Sequence, residues 1–247
     1  MRNIKLTIEY DGTHFEGWQI QPTGHRTIQG ELETALKTIL KESIKLIGSG
    51  RTDSGVHALG QVANFKTKSD KSLDEIKNAL NANISDEIAI INTEEADKDF
   101  HAQYSPKSKA YRYRIFNRRV ASPHEKNKSL FYPHKLNISF MKEEAKVLIG
   151  KHDFKSFQAV DPSKKRENTV RTIKSIIIRK KGDLIEMDIT ADGFLYKMVR
   201  NIVGTLLEIG SKKLEKGSME KILMAKDRKM AGNTAKSEGL YLVTVSY

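Results

Sequence analysis

Apolar residues change their spacing repeatedly along this chain, and no apolar run exceeds four residues, as in Ile88 to Ile91. A half-buried strand repeats every second residue, and a helix with one apolar face every three to four. Ile4, Leu6, Ile8 and Tyr10 follow the first spacing, which predicts a strand ended by Asp11-Gly12. Ile28, Leu32, Ala35, Leu36, Ile39 and Leu40 follow the second, with Thr27 as N-cap. Val62 to Phe65 reads as a strand, Leu73, Ile76, Ala79 and Leu80 as a helix, and Ile88 to Ile91 as another strand. The mixture recurs further on. Tyr111, Tyr113 and Ile115 alternate with Arg112, Arg114 and Phe116, a strand with one basic side. A helix is expected from Phe140 to Ile149, and strands at 170–178 and 184–189 flank the hairpin signal Lys181-Gly182-Asp183. Met198, Val199, Ile202, Val203, Leu206 and Leu207 form a helical stripe, with Lys197, Arg200, Asn201 and Gly204 on its other faces. Residues 240–245 make a closing strand. The pattern predicts an α+β fold with an antiparallel-rich sheet, in two halves at 1–105 and 106–247.

Short apolar runs exclude a membrane-spanning helix, which needs roughly 20 apolar residues. The first seven residues alternate apolar and polar and lack the apolar stretch of a signal peptide, so the expected location is the cytoplasm. Without any cysteine there are no disulfides, thiolate nucleophiles, iron–sulfur clusters or Cys-ligated zinc. The seven histidines show no metal-ligand spacing, and the pair His152-Asp153 lacks supporting ligands, so no metal is expected.

The charge is segregated. The chain has 43 Lys+Arg against 31 Asp+Glu, a formal charge of +12. Lys107 to Arg119 holds six basic residues and no acid, and Lys164 to Lys181 holds eight against the single Glu167. Ser85 to Asp99 is the reverse, with six acids and one lysine. Such a distribution makes a field that attracts a polyanion, nucleic acid first. Tyr111 and Tyr113 either add stacking surfaces between those arginines or turn into the core.

The segment richest in chemistry is Gly48-Ser49-Gly50-Arg51-Thr52-Asp53-Ser54-Gly55-Val56-His57-Ala58. Its glycines allow sharp turns and close approach. In extended backbone Arg51 and Asp53 share a side, and a neighbouring guanidinium favours an ionised carboxylate, the form that acts as nucleophile or base. The segment lacks the Gly-Lys-Ser/Thr ending of a P-loop. It also lacks the second Asp-Ser/Thr-Gly that an aspartic protease needs to share a proton. A plain connection between strands would use the same turn residues. Taken without further motifs, the charge and aromatics also suit a non-catalytic RNA-binding module.

Further motifs narrow this. Gly50-Arg51-Thr52-Asp53-Ser54-Gly55-Val56-His57-Ala58 closely resembles the signature of the TruA-type tRNA pseudouridine synthases. Tyr10-Asp11-Gly12-Thr13-His14-Phe15-Glu16-Gly17-Trp18-Gln19 is similar to that family's opening, and Phe100-His101-Ala102 with Lys109-Ala110-Tyr111-Arg112-Tyr113 to its tyrosine motif. His152-Asp153-Phe154-Lys155-Ser156-Phe157, Met198-Val199-Arg200-Asn201-Ile202-Val203-Gly204 and Glu238-Gly239-Leu240-Tyr241-Leu242 resemble later blocks, all in family order. The resemblance implies the pseudouridine synthase fold, with two pseudo-symmetric halves sharing a mixed, mainly antiparallel sheet around a central cleft. It implies isomerisation of uridine to pseudouridine in the anticodon stem–loop of tRNA, at positions 38, 39 and 40, by a homodimer with no cofactor or metal. Position by position, it makes Asp53 the catalytic aspartate and Tyr111 the residue stacking on the target base. It places Arg51 and Arg200 around the aspartate and substrate, and makes Leu240 an apolar lining residue. Gln103 departs from the pattern, standing where the family often has Arg.

Overall fold

The computed structural model describes residues 1–22, 24–160 and 168–247. In chain order they form β1 (Arg2–Tyr10), α1 (Ile28–Leu40), β2 (Ile47–Gly48), β3 (His57–Thr67), α2 (Leu73–Asn83), β4 (Ile88–Ala96) and β5 (Ser108–Phe116). There follow β6 (Leu130–Phe131), α3 (Ile138–Ala145), β7 (Gly150–Asp153), β8 (Val170–Lys181), β9 (Leu184–Ala191), α4 (Met198–Gly210), α5 (Ser218–Ala225) and β10 (Leu240–Ser246). The chain divides into two compact units, one of Met1–Lys107 with Tyr241–Tyr247, the other of Ser108–Leu240.

In the first unit the strands lie in the order β4-β1-β3-β10, with β2 also paired to β3. β1 runs antiparallel to both β3 and β4, and β10 joins β3 in parallel through Tyr241 opposite His57 and Leu242 opposite Ala58. That pairing is why the last seven residues belong with the first hundred. Ile4, Leu6, Ile8 and Tyr10 are all buried, as their alternation requires. Thr27 caps α1 by accepting from Gly30 N–H, and Ser72 and Glu75 close a reciprocal capping box on α2.

The second unit orders its strands β5-β9-β8-β7, antiparallel throughout, with short β6 parallel to β5. Gly182, at φ +58°, and Asp183 make a two-residue hairpin between β8 and β9. Ile185, Met187, Ile189 and Ala191 of β9 are fully buried and alternate with Glu186 and Asp188. Both units are therefore α+β with mainly antiparallel sheets.

Three local expectations are corrected. The helix expected to Ile149 ends at Ala145, continues as one tight turn over Lys146–Leu148, and yields to β7. α4 is buried almost all round. Asn201 is fully buried, its amide donating to Phe157 O at 2.7 Å, and Gly204 lies so close to Asn233 O that a Cβ would sit 1.7 Å from it. The spacing alone puts both residues on outer faces. α5 was not expected at all. Its N-cap, Gly217, offers no side chain. The cap comes from buried Glu144 on α3, whose carboxylate accepts from Gly217 N–H at 2.8 Å and Met219 N–H at 3.1 Å.

Removing that carboxylate strands two helix N–H groups in the interior. Glu144→Ala should lower unfolding stability by about 2 kcal/mol or more, and Glu144→Gln should recover part of the loss. Urea unfolding checks this; an unchanged midpoint for Glu144→Ala would show the long-range cap to be dispensable.

Candidate active site

The Asp53 loop joins β2 to β3 and is held at both ends. Buried Gln61 of β3 accepts from the Ser49 hydroxyl at 2.6 Å and donates to Gly50 O at 2.9 Å. Thr52 is buried, its hydroxyl 2.8 Å from that of Tyr10 and its carbonyl accepting from Trp18 N–H. Burial pushes the Tyr10 phenol above its ordinary range despite opposing hydrogen bonds from Thr52 and Gln61, so it stays neutral. Beyond Asp53 the chain turns. Val56 N–H donates back to Asp53 O, and Gly55, at φ +73°, donates to Phe15 O.

The partner surface is the loop of residues 11–18. A Cβ on Gly12 would lie 1.9 Å from Val56 O, and one on Gly17, at φ +88°, 2.5 Å from Thr52 O. Gly12 N–H donates to Nδ1 of His57, which also lies 3.0 Å from Asp11 Oδ1. The buried His57 ring stacks on Tyr241 with centroids 4.5 Å apart. Two separate sequence motifs are thus packed back to back. Asp53 stands half-buried between buried Thr52 and Val56, with Arg51 exposed beside it. Sequence reasoning singled out the Asp53 motif but not Gln61, whose amide meets Ser49 and Gly50 only when the loop folds back on β3; His57, inside the motif, finds Gly12 and Tyr241 far along the chain.

The other expected site residues lie in the second unit. Tyr111 on β5 is nearly buried and meets the edge of Phe194 at 5.1 Å and 87°. Phe194, in the link from β9 to α4, was not foreseen; an aromatic directly after Ala191-Asp192-Gly193 is the signal that could have found it. Tyr113 is fully buried and donates to Lys236 O at 2.7 Å, so it belongs to the core. Burial pushes Lys109, two residues before Tyr111 on the same strand face, down to about 8. Arg200 on α4 donates through Nε to Ala235 O at 2.7 Å, and Leu240 is buried at the start of β10.

The basic side of β5 is largely matched by acids. Arg112 grips Asp188 of β9 through two nitrogens, at 2.7 and 3.2 Å, and Arg179 reaches the same carboxylate at 2.6 Å. Arg114 lies 3.5 Å from Glu125 and 3.8 Å from Glu186. Lys180 and Lys181 on the hairpin and Arg119 after β5 are exposed cations. Lys164, Lys165 and Arg166 of the second basic run lie outside the described residues. Among the described residues no group of three or more His, Cys, Asp or Glu could hold a metal ion. Asp153 is taken up by Thr169, Lys155 N–H and Lys226.

Burial pushes the Asp188 carboxyl up, but the hydrogen bonds and charges of Arg112 and Arg179 outweigh it and hold the group below its ordinary value. A depressed carboxylate stabilises the fold above the unfolded-state value, about 3.9, and loses that contribution as pH falls through the folded-state value. Asp188→Asn should therefore destabilise the protein at neutral pH and narrow its gap from the parent below about pH 4. Thermal unfolding from pH 7 to pH 3 measures this; a gap constant across that range would contradict the assignment.

A family model described as tRNA pseudouridine synthase matches residues 6–105 and 145–247. Whole-chain relatives agree. The tRNA pseudouridine synthase A of Acetivibrio thermocellus is 44% identical over 247 residues, covering all of both chains. The tRNA pseudouridine synthase A 2 of Clostridium perfringens is 47% identical over the same span, again covering all of both. The tRNA pseudouridine synthase A of Geobacillus kaustophilus is 44% identical, covering all of this chain and 95% of its own. With the Asp53 loop and its glycine-lined support both inside the matched residues, the chain belongs to the tRNA pseudouridine synthase family.

Proposed function

We propose that this protein converts uridine to pseudouridine in the anticodon stem–loop of tRNA, at positions 38, 39 and 40, with Asp53 performing the chemical step. The observation that carries this reading is the presentation of Asp53. Asp53 is half-buried on a loop whose Thr52 and Val56 are buried and hydrogen-bonded, so a carboxylate is offered from a rigid base.

Substrate and product contain the same atoms. The bond from N1 to C1′ breaks, a bond from C5 to C1′ forms, C5 gives up its proton and N1 gains one. No oxidant or reductant enters, and no cofactor is required. A stacked base must first leave its stack. Attack of Asp53 on C1′ and removal of a ribose proton both start from the ionised carboxylate. In this reading Arg51 and Arg200 supply positive charge around the carboxylate and substrate. The Tyr111 ring, fixed by Phe194, holds the detached uracil while it turns, and Leu240 gives the pocket an apolar wall. Exposed cations on the β8–β9 hairpin meet the RNA backbone and respond to its shape rather than its sequence. The reading extends to a homodimer in the cytoplasm. Among the described residues no helix is long and apolar enough to cross a membrane.

Asp53→Ala should abolish tritium release from tRNA carrying 5-tritiated uridine, by at least about a thousandfold, since removing a covalent or basic catalyst leaves only binding. Release at the parent rate would end the proposal, whereas an RNA-binding module would release none even in the unaltered protein. Tyr111→Phe should fold and turn over roughly tenfold more slowly, about what one hydroxyl hydrogen bond to the substrate would contribute. Unchanged turnover would leave the ring, and not the hydroxyl, as the working part.

A further inference from the structure

We propose that a groove on the first unit, beside the Asp53 loop, seats an unpaired nucleotide next to the target uridine, with Tyr104 as its stacking platform. The groove has a volume of about 310 Å³ and is lined by Gly50 and Arg51 of the Asp53 loop, by Trp18 and Lys45, and by Gln103 and Tyr104. It lies at the small end of the ~300–1,000 Å³ range of ligand sites, the scale of one nucleoside.

Tyr104 is 78% exposed, yet it is not a loose side chain. Its ring stacks on His101 with centroids 4.4 Å apart and planes 27° from parallel. The turn beneath closes on itself. Tyr104 N–H and Ser105 N–H both donate to His101 O, at 3.1 and 3.0 Å. His101 N–H donates to Ser105 Oγ, and Gln103 N–H to His101 Nδ1, both at 3.2 Å. Accepting there places the neutral imidazole's proton on Nε2 and fixes the ring beneath the tyrosine. One face of the phenol is thus backed, and its exposure leaves the other to the solvent.

An ordered aromatic with an open face, in a groove with two exposed cations, suits a nucleobase on a phosphodiester chain. Lys45 and Arg51 answer the phosphates. Gln19 and Gln103 are exposed on the groove, and an amide both donates and accepts, as a base edge demands. The floor is tight. Gly48 lies against the Trp18 indole so closely that a Cβ would come within 2.5 Å of it, which keeps the groove's depth fixed. Because Gly50 and Arg51 belong both to this groove and to the Asp53 loop, its occupant is a neighbour of the reacting nucleotide. This inference rests on the reaction proposed above.

The test is a binding cycle with an anticodon stem–loop RNA and protein carrying Asp53→Asn to stop turnover. Each neighbour of the target uridine is replaced in turn by an abasic nucleotide. Tyr104→Ala should weaken binding roughly tenfold, and Tyr104→Phe should restore it. One of the two abasic RNAs should bind the tyrosine protein as weakly as natural RNA binds Tyr104→Ala. Combining the two changes should add little, because both remove the same stack. Unaltered affinity for Tyr104→Ala, or losses that add in full at both neighbouring positions, would overturn the proposal. The protein with Asp53 intact is assayed for tritium release on the same RNA. Absence of pseudouridine there refutes the proposed reaction, while the binding cycle, which needs no turnover, decides the groove on its own.

Discussion

Two backbone contacts set the geometry of the candidate site. Gly12 meets the Val56 carbonyl and Gly17 meets the Thr52 carbonyl at separations no Cβ could tolerate. The loop of residues 11–18 is therefore a wall for the Asp53 loop, fixing the peptides on either side of the aspartate. A side chain on so fixed a backbone has little freedom left to lose, the condition under which rigid positioning lowers a barrier. The wall is braced from outside. Arg26 lies 4.1 Å over the Phe15 ring and pairs with Glu31 and Glu87, and Glu87 also binds His14. Burial pushes the Glu87 carboxyl up, but these two partners outweigh it and keep the carboxylate charged.

Elements whose signals are local were legible in the sequence. β1 and β9 alternate cleanly, α1 and α2 carry their own caps, and the β8–β9 hairpin has its glycine where a left-handed turn needs one. What was hidden depends on distant partners. α5 takes its cap from α3, more than seventy residues earlier. Asn201 looks like a polar outer residue until Phe157 O, Thr234 and Arg228 are found around its amide. The two tyrosines of β5 share one face, and only the fold separates Tyr113, sealed with its hydroxyl on Lys236 O, from Tyr111 against Phe194.

Charge shows the same division. The excess of basic residues is a property of composition and correctly points to an anionic partner. Where that charge acts is set by pairing across strands. β5 reads as a basic strand in isolation, but its neighbour β9 presents Glu186 and Asp188 in register with Arg114 and Arg112. Those arginines serve the sheet, whereas Lys180 and Lys181 stand exposed at the hairpin's end.

Carboxylates in this fold differ in the traces they leave. Glu144 caps a helix, Asp188 is clamped by two guanidinium groups, and Asp153 ties Thr169 to Lys226. Glu144 and Asp188 work through groups brought together from far apart, and neither has a recognisable neighbourhood in sequence. Asp53 does, because presenting a half-buried aspartate from a fixed loop demands glycine at particular places: Gly55 for its turn, and Gly12 and Gly17 for the approach of the wall. The candidate aspartate is thus marked in the sequence by the backbone that carries it. That is why the glycines around Asp53 mark a candidate site in the sequence while nothing local marks Glu144 or Asp188.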